Sequence, residues 1–137
     1  PLAHAVPNSF VRAMKKMNFQ LTISNPEGFD LDKSITEGVV VNNDQCDSFK
    51  NVDYVYAKNW CSYQNYGKVN RDYDSWTIDT NKMNLTNNGK FMHCLPIRRN
   101  VVATDKVIDN PNSLILKQSE NRIYSAQYII KKLLENE

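Results

Sequence analysis

Seven consecutive residues, His93 to Arg99, hold an imidazole, a thiol, a proline and two guanidiniums, directly after the apolar pair Phe91-Met92. Two other stretches have similar character. Lys58-Asn59-Trp60-Cys61 follows the strand-like run Asp53–Ala57, and Ser119-Glu120-Asn121-Arg122 opens a helical pattern near the end of the chain. Guanidinium groups recognise planar anions through paired N–H donors. A strand end closed by Leu95-Pro96 is a rigid place from which to aim backbone carbonyls. The guanidiniums suit an anionic ligand.

Those stretches need elements that bring them together. Val6, Phe10, Met14 and Met17 recur at helical spacing, which predicts a helix over 7–17. Short helices are expected over 31–36, 44–49 and 79–85, and a longer one over 121–135. Strands are expected at Phe19–Ile23, Val39–Val41, Asp53–Ala57, Phe91–His93 and Ser113–Leu116. Residues 58–75, rich in Tyr, Asn and Gly, read as a long loop, and long loops in compact domains are often functional. Alternating strands and helices predict a Rossmann-like, three-layer α/β domain with a mainly parallel five-stranded sheet. Such sheets bind ligands at the carboxyl ends of their strands, where Lys58 and the His93–Arg99 run fall.

Bulk properties narrow the function. The chain has 137 residues, one domain's length, with 17 basic and 15 acidic side chains. That balance argues against nucleic acid as a partner. No apolar run approaches the roughly 20 residues of a membrane span, and no signal-peptide pattern is visible, so a cytoplasmic location away from membranes is expected. Cys46, Cys61 and Cys94 are too widely spaced for a zinc knuckle or a disulfide framework, so no metal is expected. Neither GxGxxG nor GxxxxGK[ST] occurs, which argues against a dinucleotide or P-loop site. The chain opens on Pro1, which predicts a processed or excised piece of a longer protein.

The "FMHCLPIRRN" run, "TDKVIDNPNSL" and "SENR", in that order, closely resemble the aspartate/ornithine carbamoyltransferase family, over essentially the whole chain. The likeness is to the second, amino-acid-binding domain. The family's Ser-Thr-Arg-Thr and His-Pro-x-Gln motifs, which hold carbamoyl phosphate in the first domain, do not occur here. The resemblance therefore implies residues 1–137 as an ornithine-binding domain whose N-terminal, carbamoyl phosphate domain is absent from this chain. It also implies arginine biosynthesis, a homotrimer at full length and no cofactor. The reaction would be attack of an ornithine δ-amine on the carbonyl of carbamoyl phosphate. Catalytic roles would fall to the Cys94 and Leu95 carbonyls and to Arg122.

Within the family, the ornithine enzymes carry Asp-Val-Trp-Ala-Ser-Met-Gly where this chain has Lys58-Asn59-Trp60-Cys61-Ser62-Tyr63-Gln64. An aspartate that would face the α-ammonium of ornithine is replaced by Lys58. Two cations repel, so free ornithine fits poorly, whereas an N-acylated ornithine has no cation there. Lys58-Asn59-Trp60, Ala5-Val6-Pro7-Asn8-Ser9 and the Arg98-containing run resemble the N-acylornithine branch. That likeness implies Asn8, Lys58, Arg98 and His93 as substrate-binding residues. Val102 stands where the acetylornithine enzymes have a lysine, which favours N-succinylornithine over N-acetylornithine. Two alternatives stay open: a non-catalytic amino-acid-binding or regulatory domain derived from the family, and an ornithine carbamoyltransferase.

Overall fold

A computed structural model of the chain describes residues 5–59 and 73–135. The elements run α1 (Ala5–Lys16), β1 (Thr22–Ser24), α2 (Lys33–Thr36), β2 (Val40–Asn42), α3 (Gln45–Phe49), β3 (Tyr54–Ala57), α4 (Thr80–Met83), β4 (Lys90–His93), α5 (Asp105–Ile108) and α6 (Ile115–Leu134). Aspartate side chains start three of the short helices. Asp32, Asp44 and Asp79 accept from the backbone N–H groups of Ser34, Asp47 and Lys82. Each satisfies a donor that the first helical turn leaves unpaired. The alternation of strand and helix is as expected, and both strand pairs are parallel.

The five-stranded sheet is not what the described residues form. They make two separate two-stranded pairs, β1–β2 and β3–β4. The expected fifth strand, Ser113–Leu116, is the start of α6 instead. Only Ser113 bridges Phe91 before Leu114 becomes the helix N-cap. Two backbone bonds, Phe91 N–H to Asn112 O and Leu114 N–H to Phe91 O, are all that this edge contributes. The chain thus turns from strand-like pairing into a helix within one residue, and α6 begins well before the expected Asn121. The expected loop over 58–75 closes on a 3-10 turn at Asp74–Trp76, its central part, 60–72, lying outside the described residues.

The core lies around β3–β4. Phe49, Ala57, Ile78, Phe91, Val102, Ala103, Val107 and Ile115 form one buried cluster, with Phe91 at 1% exposure. The register pairs Val55 with Phe91 and Ala57 with His93, so these four share one face. Gly89 admits β4 to this core. A Cβ there would lie 2.9 Å from the Thr86 side chain and 3.1 Å from the Val52 carbonyl.

Candidate functional site

β3 and β4 end side by side, so whatever follows Ala57 and His93 emerges at one edge. Lys58 and Asn59 come from the first strand end, and Cys94 to Arg98 from the second. His93 is 1% exposed. Its Nδ1 accepts the Leu95 N–H at 2.9 Å, so the ring proton belongs on Nε2. That Nε2 is buried with no hydrogen-bond partner among the described residues. Burial, and then the nearby Lys58 ammonium, hold His93 down at about 4, so the ring is neutral at physiological pH. Leu95 itself is left-handed, with φ of 50°, an uncommon state for a non-glycine residue. Its N–H bond to His93 helps to hold that turn.

On the opposite face of the strand pair, Tyr56 meets residues of two helices. Tyr56 stacks edge-on against Phe10 of α1, with ring centroids 4.5 Å apart. Burial, and then the Cys94 sulfur, push the Tyr56 hydroxyl up to about 12, while the Gln118 amide of α6 acts in the other direction. Asn8 Oδ1 and Gln118 Oε1 are buried without partners among the described residues. Buried polar atoms are normally paired, and Ser24, Asn25 and Thr104 each leave one unpartnered as well among the described residues.

The two arginines after Pro96 divide their work. Arg99 bonds the carboxylates of Asp105, at 2.6 Å, and Asp109, and Asn100 exchanges two bonds with Asp105. This pair staples the loop after β4 onto α5. Arg98 forms no ion pair among the described residues, and neither does Lys58, although both are half-buried. Asn59 links their two segments. Its Nδ2 donates to the Pro96 carbonyl at 2.8 Å, and its Oδ1 accepts the Arg98 N–H at 3.4 Å.

Of the residues singled out in the sequence, Lys58, His93, Cys94, Leu95 and Arg98 gather at this edge. Asn8 sits on α1, the helix that packs onto Tyr56. Arg122 is exposed on α6 and makes no ion pair among the described residues. It does share a helix face with Gln118, one turn earlier. Trp60, Cys61, Tyr63 and Gln64 lie outside the described residues. The sequence reading passed over Tyr56, Gln118 and Asn59. Tyr56 and Lys58 share one side of a strand by period-two spacing, and Gln118 precedes Arg122 by four residues, so both were findable. Asn59 had only its place beside Lys58 as a signal.

The aspartate/ornithine carbamoyltransferase Asp/Orn binding domain matches residues 3–133. The N-succinylornithine carbamoyltransferase of Bacteroides fragilis is 43% identical over 99% of this chain and 43% of its own length. The N-acetylornithine carbamoyltransferase of Xanthomonas campestris is 33% identical over 98% of this chain and 45% of its own length. A crystal structure of acetylornithine transcarbamylase complexed with acetylcitrulline superposes with a TM-score of 0.83 at 34% identity, covering 95% of this chain and 44% of that one. The chain therefore spans less than half the length of the curated relatives it matches, and what it matches is a Rossmann-like α/β domain. The chain belongs to the aspartate/ornithine carbamoyltransferase family, within which it corresponds to the Asp/Orn binding domain.

Proposed function

We propose that this chain is the substrate-binding half of an N-acylornithine carbamoyltransferase, acting on N-succinylornithine in preference to N-acetylornithine. The observation that carries the reading is the pair of half-buried cations, Lys58 and Arg98, on adjoining strand-end segments with no carboxylate partner among the described residues. Unpaired, desolvated charges are costly, and an anionic ligand removes the cost. An acylornithine supplies one carboxylate, and a succinyl group supplies a second. The relative of 43% identity carries the succinyl name, which supports the same choice. In this reading the Cys94 and Leu95 carbonyls accept from the δ-amine and the carbamoyl N–H groups. Asn8 and His93 complete the substrate side, and Arg122 reaches toward carbamoyl phosphate held by the other half. Large apolar residues exposed along α6, such as Ile130 and Leu133, fit a helix that packs against that other half.

The test is made in the full-length enzyme, with kcat/KM measured for ornithine, acetylornithine and succinylornithine. Wild type is expected to prefer succinylornithine. Lys58→Asp exchanges a cation for an anion and is expected to raise KM for succinylornithine by roughly 10- to 150-fold, the cost of a lost charged contact. A wild type that prefers free ornithine, or a variant with unchanged ratios, removes the basis of the reading.

A further inference from the structure

We infer that Asn59 is the positioning residue of this site, fixing Lys58 and Arg98 at the separation that a substrate carboxylate requires. The inference rests on the acylornithine reading and extends it to a residue that touches no reacting atom.

Three contacts converge on this one side chain and its carbonyl. The carboxamide donates to the Pro96 carbonyl at 2.8 Å and accepts the Arg98 N–H at 3.4 Å, across 37 and 39 residues of sequence. The Asn59 carbonyl accepts from Lys58 Nζ at 3.3 Å. The β3–β4 ladder ends at the Ala57–His93 pair, so beyond it no strand pairing holds the two segments in register. Asn59 continues the connection where the ladder stops, and it does so on the segment from which Arg98 projects. An amide is suited to this task because it carries a donor and an acceptor side by side, and the two backbone groups it meets, a carbonyl and an N–H, demand one of each. A carboxylate of the same shape has no donor for Pro96 and places an anion between the two cations. An alanine leaves both backbone groups without this partner.

The experiment uses the full-length enzyme as wild type, Asn59→Ala and Asn59→Asp. Dissociation constants are measured calorimetrically for N-succinylnorvaline, which lacks the reacting amine, and for its diamide, which lacks both carboxylates. Asn59→Ala is expected to weaken N-succinylnorvaline by about 5- to 20-fold, in the range of one or two lost hydrogen bonds, and to leave the diamide within about twofold. Asn59→Asp, which preserves volume, is expected to bind N-succinylnorvaline more weakly still. Equal weakening of both ligands by alanine overturns the inference, because Asn59 then shapes the site without acting on the carboxylate. Unchanged binding in either variant overturns it as well. Failure of the wild type to bind N-succinylnorvaline sinks the acylornithine reading itself, which is distinct from a wild type that binds and variants that do not differ from it.

Discussion

β1 pairs Thr22–Ser24 with Val40–Asn42, and β3 pairs Tyr54–Ala57 with the Lys90–His93 strand β4, both as parallel ladders of three or four residues. Their surroundings differ. Val40 is 62% exposed on the first pair, while Phe91 and His93 are 1% exposed on the second. Every member of the main buried cluster comes from α3 onward. The functional candidates follow the same division, since the β3 and β4 ends carry Lys58 and the His93–Arg98 run. A ladder alone fixes the direction of a strand. A packed ladder also fixes where the residues just past its end can go, because the strand beneath them cannot slide. The site sits on the pair whose position the core determines.

The largest effect that separates the two pairs is expected at Phe91. Phe91→Ala removes a fully buried ring from the centre of the cluster, and such truncations cost about 3–5 kcal/mol, partly for the cavity left behind. Urea unfolding reads this directly. A loss below about 1 kcal/mol would mean that the second pair is held no more firmly than the first, and the comparison would break there.

The next effect is a pH dependence assigned to His93. Its folded value of about 4 lies below the ordinary 6.5, through burial first and the Lys58 charge second. Above about 6.5 both folded and unfolded chains carry neutral imidazole, so the contribution to stability is fully present. Between 6.5 and 4 the unfolded chain takes up a proton that the folded one refuses, so stability falls as the pH falls. The loss approaches roughly 3 kcal/mol by the lower end. Stability measured from pH 7.5 to 4.5 in wild type and His93→Asn checks it, since asparagine keeps an acceptor for the Leu95 N–H and has no proton to gain. Equal slopes in the two proteins would remove His93 as the source.

How far the sequence disclosed this arrangement depended on how local each signal was. Period-two and helical spacing located β2, β3, β4 and most of α1, because those patterns reflect one element at a time. The short helices expected over 44–49 and 79–85 start within a residue of α3 and α4, whose N-caps are Asp44 and Asp79. Ser113–Leu116 misled, since a run of three apolar residues, Leu114–Leu116, is equally at home in a strand and in the first turn of a helix. Only its pairing to Phe91 through a single bridge decides between them, and that contact reaches 22 residues back along the chain. α5, as short as the expected α2 and α4, was missed; its N-cap Thr104 makes no side-chain capping bond, whereas Asp32 and Asp79 cap the other two. At the candidate site, residue type and the family likeness single out Lys58 and Arg98, and the structure leaves both half-buried beside the strand ends. The occupation of Arg99 by Asp105 and Asp109 was not legible, since nothing in "RR" says which arginine turns back onto α5. Asn59 was likewise hidden, because its partners lie 37 and 39 residues away.

The smallest effect is expected on the first pair, and it bears on the comparison from the other side. Val40→Thr exchanges one β-branched residue for another of nearly the same shape, so strand propensity changes little. The new hydroxyl meets water, because Val40 is 62% exposed, and it needs no partner within the protein. The expected change in unfolding free energy is within about 0.5 kcal/mol. The matched substitution Val102→Thr places the same hydroxyl at a site only 2% exposed, within the cluster beside β4. There a hydroxyl without a partner costs about 1–3 kcal/mol. The ratio of the two losses measures the contrast with chemistry held constant, which the Phe91 truncation does not do. If Val40→Thr costs more than about 1 kcal/mol in the full-length protein, the exposed face of β2 is covered there. In that case the two pairs differ through what the rest of the full-length protein packs onto β2 rather than through a division of labour within the domain.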